Sequence, residues 1–466
     1  MSSSSTGTNY GALITLTTVF FFWGFVAASN DILIPVFKED LHLQQWQSQL
    51  ISVAFYVAYT VGSILYLIIS YTMKKDILSR LGYKKGISLG LAISAVGTLL
   101  FIPAASLESF NLMISGLFVV GLGFSLQQTA ANPLVISLGD PEKGSQRLSL
   151  TGGVNNIGTT IGPVLISLAI FGTASGKHGD VSIESIKIPY LLLGLSFLIV
   201  AGLIMLSKVP NHIEQKTETV SSKKSIKDYP QLYLGMIAIF VYVGVEVATA
   251  SNLGEYLKVN FKMESHEMTP YVSLYWASLM IGRWTSAAGV FASTPALKNI
   301  LRIVLPYAAF GIFILINAAT NQDLSSIYYY GFVIVILIIA EALSKGNPAT
   351  QLGMFSVLGI IALLIGIFME GTISIYAIVS VGLFCSTLWP CIFTLAIDGL
   401  GEYTNKGSGF LIMMIMGGGL ISLLQGFLVD QPGIGIRMSF FVGIACFLYL
   451  LFYAVRTKNL LVRQNA

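Results

Sequence analysis

Long runs of apolar residues dominate this 466-residue sequence. A helix that crosses the hydrocarbon core of a bilayer needs about 20 apolar residues, and many of these runs reach that length. Charged residues make up only 10% of the chain, whereas roughly 25% is usual in soluble domains. A water-soluble fold is therefore excluded, and the sequence predicts an all-α integral membrane protein with about 14 transmembrane helices. The predicted spans are 11–37, 48–73, 86–104, 112–138, 149–173, 188–207, 231–257, 269–292, 298–319, 326–343, 351–369, 372–397, 408–429 and 437–455.

A polar stretch interrupts this series after the sixth span. Residues 208–230 are rich in Lys, Glu and Asp and have the composition of a linker. We therefore expect an N-terminal six-helix bundle at 1–207, a cytoplasmic linker at 208–230 and a C-terminal bundle at 231–466.

The basic residues predict how the chain is oriented in the membrane. With alternating spans and a cytoplasmic N-terminus, most of the 26 Lys and Arg residues fall in loops on the cytoplasmic side, as the positive-inside rule requires. We expect both termini to be cytoplasmic. The net charge of +4 is too small to indicate a nucleic-acid partner.

Two carboxylates lie inside predicted spans, where an ionisable group is costly and therefore functional by default. Asp31 is in the first span and Glu246 is in the seventh. We interpret both as candidate proton-coupling residues. Two alternatives stay open: Asp31 could be neutral at a helix break before Pro35, and Glu246 could make a packing hydrogen bond.

Amides and aromatic rings are also frequent within the spans. Amides pair with sugar hydroxyls, and rings stack on the CH faces of sugars, although single amides also join helices and single rings often face lipid. The candidate substrate-binding residues are Asn30, Gln127, Gln128, Asn132, Asn155, Asn156, Asn252, Tyr275, Trp276 and Trp389.

The loop after the second span is dense in positive charge. It could act only as an orientation signal and contact anionic lipid, or it could latch the cytoplasmic side of a transporter. The candidate cytoplasmic gate residues are Lys74, Lys75, Arg80, Lys84, Lys85 and Arg283.

Enzyme chemistry is not indicated. The spans contain no His/Cys cluster with metal-ligand spacing and no Ser/His/Asp set, so we expect no metal site, no cofactor and no enzyme activity. The three cysteines lie in spans, where packing thiols are expected.

Several motifs resemble the major facilitator superfamily, and within it the bacterial fucose permease and glucose/galactose transporter family. They lie along most of the chain, and together they are specific for the family but not for a substrate. The matching stretches are Phe22-Trp23-Gly24, Asn30-Asp31, Gln128-Thr129-Ala130-Ala131-Asn132-Pro133, Tyr275-Trp276, Gly282-Arg283 and Gly417-Gly418-Gly419.

The resemblance implies two six-helix bundles around a central sugar cavity, and typically proton-coupled uptake. It assigns Asp31 to the family's coupling aspartate and Asn155 to a sugar-contacting asparagine. This chain departs from the pattern in three ways. Gln128 stands where the fucose permeases carry a glutamate, Gly152 replaces a glutamine, and an extra helical hairpin is expected at about 298–343.

We therefore expect a secondary active transporter that imports a monosaccharide, such as a hexose, deoxyhexose or amino sugar, by proton symport with alternating access. A Na+-coupled symporter and an uncoupled sugar facilitator are the alternatives, because glutamine cannot titrate, and a membrane sugar sensor is a third. The expected partners are the sugar and the lipid bilayer, the expected state is a monomer, and the expected location is the bacterial cytoplasmic (inner) membrane.

Overall fold

The computed structural model describes residues 8–40, 45–74, 76–171, 186–212, 225–263, 265–319 and 324–464. It gives the backbone alone for the helical residues 27–40, 45–53, 163–164, 166–171, 265–266, 319 and 460–464. Throughout these residues the regular secondary structure is helical, which confirms the predicted all-α architecture. Eleven of the helices in the described parts of the chain are long and apolar enough to cross a membrane.

The first group of helices precedes the polar stretch. Two of its members are short: α3 lies in the loop after α2, and α5 continues α4 after a one-residue break. The helices are α1 (Tyr10–Asp40), α2 (Gln45–Thr72), α3 (Ile77–Leu81), α4 (Tyr83–Leu99), α5 (Phe101–Ser106), α6 (Phe110–Ser137), α7 (Gly144–Phe171) and α8 (Lys187–Leu206).

The second group follows the polar stretch. Its helices are α9 (Pro230–Phe261), α10 (Ser265–Phe291), α11 (Pro295–Ala319), α12 (Tyr330–Ser344), α13 (Pro348–Phe368), α14 (Gly371–Cys385), α15 (Leu388–Ile397), α16 (Thr404–Met413), α17 (Gly417–Val429), α18 (Gly435–Ser439) and α19 (Phe441–Gln464). Pro230 and Pro348 each occupy the first position of a helix, where the missing N–H costs nothing.

By its contacts the chain divides into two compact units. The first unit contains Met1–Asp140, Val154–Lys224 and Gly399–Ile415. In it α4 packs against α6 and α8, and α16 packs against α2 and α6. Small residues permit this close approach: a Cβ on Gly97 of α4 would lie 2.5 Å from the backbone nitrogen of Val120 in α6.

The second unit contains Pro141–Gly153, Ser225–Asp398 and Met416–Ala466. Its core forms where α13 packs against α14 and α19, and where α9 packs against α15 and α17. Helix α11 packs against α10, and α12 contacts α13. Many side chains of α11 and α12 are apolar and exposed, among them Leu315 and Phe332, as expected for surfaces that face lipid.

Candidate functional site

A carboxylate surrounded by tyrosines lies in the second unit. Glu246 is on α9, and one helical turn earlier Tyr242 donates a hydrogen bond from its hydroxyl to Oε2 of Glu246. From α10, the hydroxyl of Tyr275 donates to the backbone carbonyl of Glu246 over 2.8 Å. The side chain of Glu246 is only partly buried, so it can still be reached by a ligand or a proton.

Arg283 shares these surroundings, although on sequence it was grouped with the cytoplasmic lysines. Its Nε donates to the backbone carbonyl of Ser386 over 3.0 Å, and its Nη1 donates to that of Gly152 over 3.2 Å. The guanidinium also interacts electrostatically with Glu246.

Aromatic rings lie beside Glu246 and Tyr242. The ring of Trp389 in α15 lies 6.3 Å from that of Tyr242, between ring centroids. Trp276 meets Tyr275 edge to face at 5.7 Å, and 39% of its surface is exposed. Tyr242, Glu246, Tyr275, Arg283 and Trp389 form what we call the Glu246 cluster. It offers a carboxylate, a permanent cation and a stacking surface within one unit.

The predicted amides of the first unit fall into two groups. Gln128 and Asn155 are partly buried. The amide nitrogen of Gln128 donates to the Tyr59 hydroxyl over 2.9 Å, and that of Asn155 donates to the Phe20 carbonyl over 2.8 Å, which leaves the amide oxygens as acceptors. These two can still pair with a ligand.

The other predicted amides are buried in the packing. Gln127 is fully buried, accepts from Trp23 over 2.6 Å and donates to Ser94 over 2.9 Å. Asn132 and Asn156 are buried as well. Glutamine and asparagine look alike in a sequence whether they join helices or face a cavity, so this difference was not predictable.

Three predicted residues give less information. The side chains of Asn30 and Asp31 lie outside the described residues, although the backbone of both belongs to α1. Asn252 donates to the carbonyl of Ala248 on its own helix over 2.8 Å.

Among the described residues there is no group of three or more His, Cys, Asp or Glu side chains that could hold a metal ion.

The predicted cytoplasmic gate contains a carboxylate that sequence reasoning left out of the gate set. Asp76 caps α3 by accepting from the Ser79 backbone N–H, and the Tyr66 hydroxyl donates to it. Asn405, just inside α16, donates to Asp76 over 2.9 Å and accepts from Tyr83. We call Tyr66, Asp76, Tyr83 and Asn405 the Asp76 cluster.

The basic gate residues surround this cluster in the sequence. Lys84 donates to the carbonyl of Ser207 over 2.6 Å, and Arg80 is in the last turn of α3. Lys74 adopts a positive φ of 51° at the turn after α2, Lys85 is on the first turn of α4, and Lys75 lies outside the described residues.

A third intramembrane carboxylate was missed. Glu341 lies near the end of α12 and is only 3% exposed. It accepts from Nε2 of Gln351 over 2.5 Å and interacts electrostatically with Arg302 and Lys298 of α11. On sequence Glu341 resembles an ordinary charge at a helix end, because Lys345 follows it.

Comparison with known proteins identifies the family of this chain. The chain matches the Major Facilitator Superfamily over residues 13–351. It is 33% identical over 457 residues to a glucose/galactose transporter of Brucella abortus (strain 9-941), covering 97% of this chain and 95% of the relative. It is 28% identical over 461 residues to the L-fucose-proton symporter of Escherichia coli (strain K12), covering 94% and 91%.

A solved structure matches as well. The crystal structure of the transporter FucP in the outward conformation aligns with a TM-score of 0.71 and 26% identity, over 96% of this chain and 98% of that one. The relatives and the fold are those of transporters, not enzymes. This multi-pass membrane protein belongs to the major facilitator superfamily, in the family of the fucose permeases and glucose/galactose transporters.

Proposed function

We propose that this protein imports a monosaccharide by proton symport with alternating access. The observation that carries the proposal is the Glu246 cluster, where a carboxylate inside the membrane accepts a hydrogen bond from Tyr242 and lies among aromatic rings. A carboxylate can take up a proton, and a ring such as Trp389 can stack on a sugar. The names of the relatives, glucose/galactose transporter and L-fucose-proton symporter, support the same substrate class and coupling.

The sugar-contacting residues in this proposal are those that keep polar or aromatic surface available. They are Gln128 and Asn155 in the first unit and Trp276 and Trp389 in the second. Asp31 is the first proton acceptor, on the strength of the family resemblance, and Glu246 is the second. Asp31→Asn should then abolish gradient-driven accumulation but leave exchange of sugar across the membrane at least partly intact.

The coupling ion has one specific alternative. Gln128 stands where fucose permeases have a glutamate, and its Nε2 donates to the Tyr59 hydroxyl. A glutamine cannot titrate, so this position supplies no proton site. A Na+-coupled symporter or a facilitator is therefore the second candidate.

We further propose that the protein lies in the bacterial cytoplasmic membrane as a monomer, with both termini in the cytoplasm. Its two helix bundles would be residues 1–207 and 231–466. The hairpin at about 298–343 would raise the number of spans to about 14. Packing supports this assignment: α13 packs against α14 and α19 as α4 packs against α6 and α8. Among the described helices, α11 and α12 have no counterpart in that repeat.

The experiment is uptake of a labelled monosaccharide panel into proteoliposomes. Uptake is measured with an inward proton gradient, with the gradient collapsed by a protonophore, and with a Na+ gradient alone. Accumulation of one sugar that requires the proton gradient supports the proposal. Accumulation that requires Na+, or mere equilibration in all three conditions, selects the alternative.

A further inference from the structure

Helices α2 and α6 approach closely at one level of the first unit. A Cβ on Gly62 of α2 would lie 2.8 Å from Cβ of Ser125 in α6. From the other helix, a Cβ on Gly121 of α6 would lie 2.5 Å from Cβ of Ala58 in α2. Larger residues would hold the two helices apart. A glycine on each helix therefore brings the neighbouring polar side chains of α2 and α6 within hydrogen-bonding reach.

Tyr59 lies on α2 at this contact and is held from two sides. Only 4% of its surface is exposed. The Ser125 hydroxyl donates to its backbone carbonyl over 3.2 Å, and its ring meets that of Phe55 edge to face, with 5.2 Å between ring centroids. Because a side chain in close-packed surroundings keeps one rotamer on average, the Tyr59 hydroxyl has a defined position.

Gln128 follows Ser125 by three residues on α6 and uses that hydroxyl. Its Nε2 donates to the hydroxyl oxygen of Tyr59 over 2.9 Å. Gln128 is only partly buried, and no side chain or backbone group in the described part of the chain donates to its Oε1. The amide oxygen is therefore an acceptor that a ligand can reach.

An amide needs an orienting neighbour, whereas a carboxylate does not. The two ends of a glutamine amide have nearly the same shape, but one end donates and the other accepts. An ionised carboxylate accepts at both oxygens. Gln128 stands where the fucose permeases carry a glutamate, so at this position the choice between donor and acceptor depends on what surrounds the amide. The Tyr59 hydroxyl is a neighbour that makes this choice.

We propose that Tyr59 is a positioning residue for Gln128: by accepting from Nε2 it turns the amide so that Oε1 accepts from one hydroxyl of the transported sugar. Gln128 then recognises that hydroxyl as a hydrogen-bond donor. An analogue with fluorine at the same ring position is discriminated against, because fluorine fills a similar space but cannot donate. This inference rests on the proposed sugar transport, and it adds a residue of α2 that sets specificity.

A panel of monofluorinated sugars tests the orientation. Each analogue competes with the labelled sugar for exchange in proteoliposomes, and its apparent affinity is compared with that of the parent sugar. In the wild type, the analogue fluorinated at the position read by Gln128 should bind roughly tenfold more weakly, because the amide oxygen loses its donor. In Tyr59→Phe the amide is free to turn over and present Nε2, so the two affinities should become nearly equal.

A further variant identifies the ring position, and a control accompanies it. Gln128→Met keeps the length of the side chain but removes the acceptor, so the position at which this variant loses discrimination is the one that Gln128 reads. Tyr59→Phe should act at that same position and leave the other positions unchanged. The matched control is Tyr71→Phe, the same substitution on α2 at a side chain that is 85% exposed, and it should keep every affinity ratio of the wild type.

A carboxylate at position 128 separates orientation from a general structural effect. In Gln128→Glu, assayed in alkaline buffer, both oxygens accept, so discrimination should persist and the addition of Tyr59→Phe should not change it. Loss of discrimination in Gln128→Glu alone would show that Gln128 donates to the sugar, and would overturn the inference even if Tyr59→Phe does not fold.

Two further outcomes would overturn the inference while leaving sugar transport intact. One is a wild-type affinity ratio in Tyr59→Phe at the position identified by Gln128→Met. The other is a loss of discrimination on adding Tyr59→Phe that is equal in the wild-type and Gln128→Glu backgrounds, because a residue that only supports the fold would produce it. A wild-type protein that exchanges no sugar would instead overturn the proposed function, and the inference with it.

Discussion

At the scale of single residues, the Asp76 cluster depends on an amide from a distant part of the chain. Asn405 lies 329 positions from Asp76, donates to its carboxylate and accepts from Tyr83. Both Asp76 and Asn405 are buried. A buried polar group that loses its partner costs more than the bond itself contributed, because water does not replace the partner.

The Asn405→Ala variant should therefore be less stable. Removing the amide takes a donor from Asp76 and an acceptor from Tyr83, for an expected loss of about 1–3 kcal/mol. Thermal unfolding in detergent measures this loss. Thr404→Ala is the control, because its hydroxyl bonds only to an exposed carbonyl one turn earlier; equal melting temperatures for the two variants would contradict the account.

At the scale of helices, α4 and α6 approach until their backbones touch. Besides the contact with Val120, a Cβ at Gly97 would lie 2.7 Å from the carbonyl oxygen of Gly116. Gly97→Ala should therefore force the two helices apart and cost about 1–3 kcal/mol of stability. The control is Gly202→Ala in α8. A Cβ added at Gly202 would have no neighbouring heavy atom within 4 Å, so this variant should be neutral or stabilising. Chemical denaturation that ranks the two variants equally would contradict close packing here.

Helix α12 carries a buried carboxylate, Glu341. Glu341 accepts a hydrogen bond from Gln351 of α13, so it ties α12 to the rest of the second unit. Glu341→Ala should leave the buried amide of Gln351 without this acceptor and destabilise the protein by about 1–3 kcal/mol. Glu370→Ala, at an exposed helix start, should have little effect. A Glu341→Ala variant with the same melting temperature as the wild type would show that the carboxylate is dispensable for stability.

At the scale of the whole molecule, the sequence predicts helices better than it predicts which polar residues face a ligand. Apolar runs predict membrane helices because the bilayer imposes both length and composition. The roles of Gln127, Arg283 and Glu341 could not be predicted, since each depends on partners in other helices. Glu246 could be selected as a candidate from the sequence because a carboxylate in mid-helix is informative without knowledge of its partners.

The central claim is that sugar and proton cross the membrane together. Proteoliposomes with no imposed gradient are given the transported sugar while an external dye reports pH. Proton symport predicts that the medium becomes more alkaline as the sugar enters, and that Asp31→Asn liposomes show no change in pH while exchange persists. Sugar entry by the wild-type protein with no change in external pH would contradict the claim.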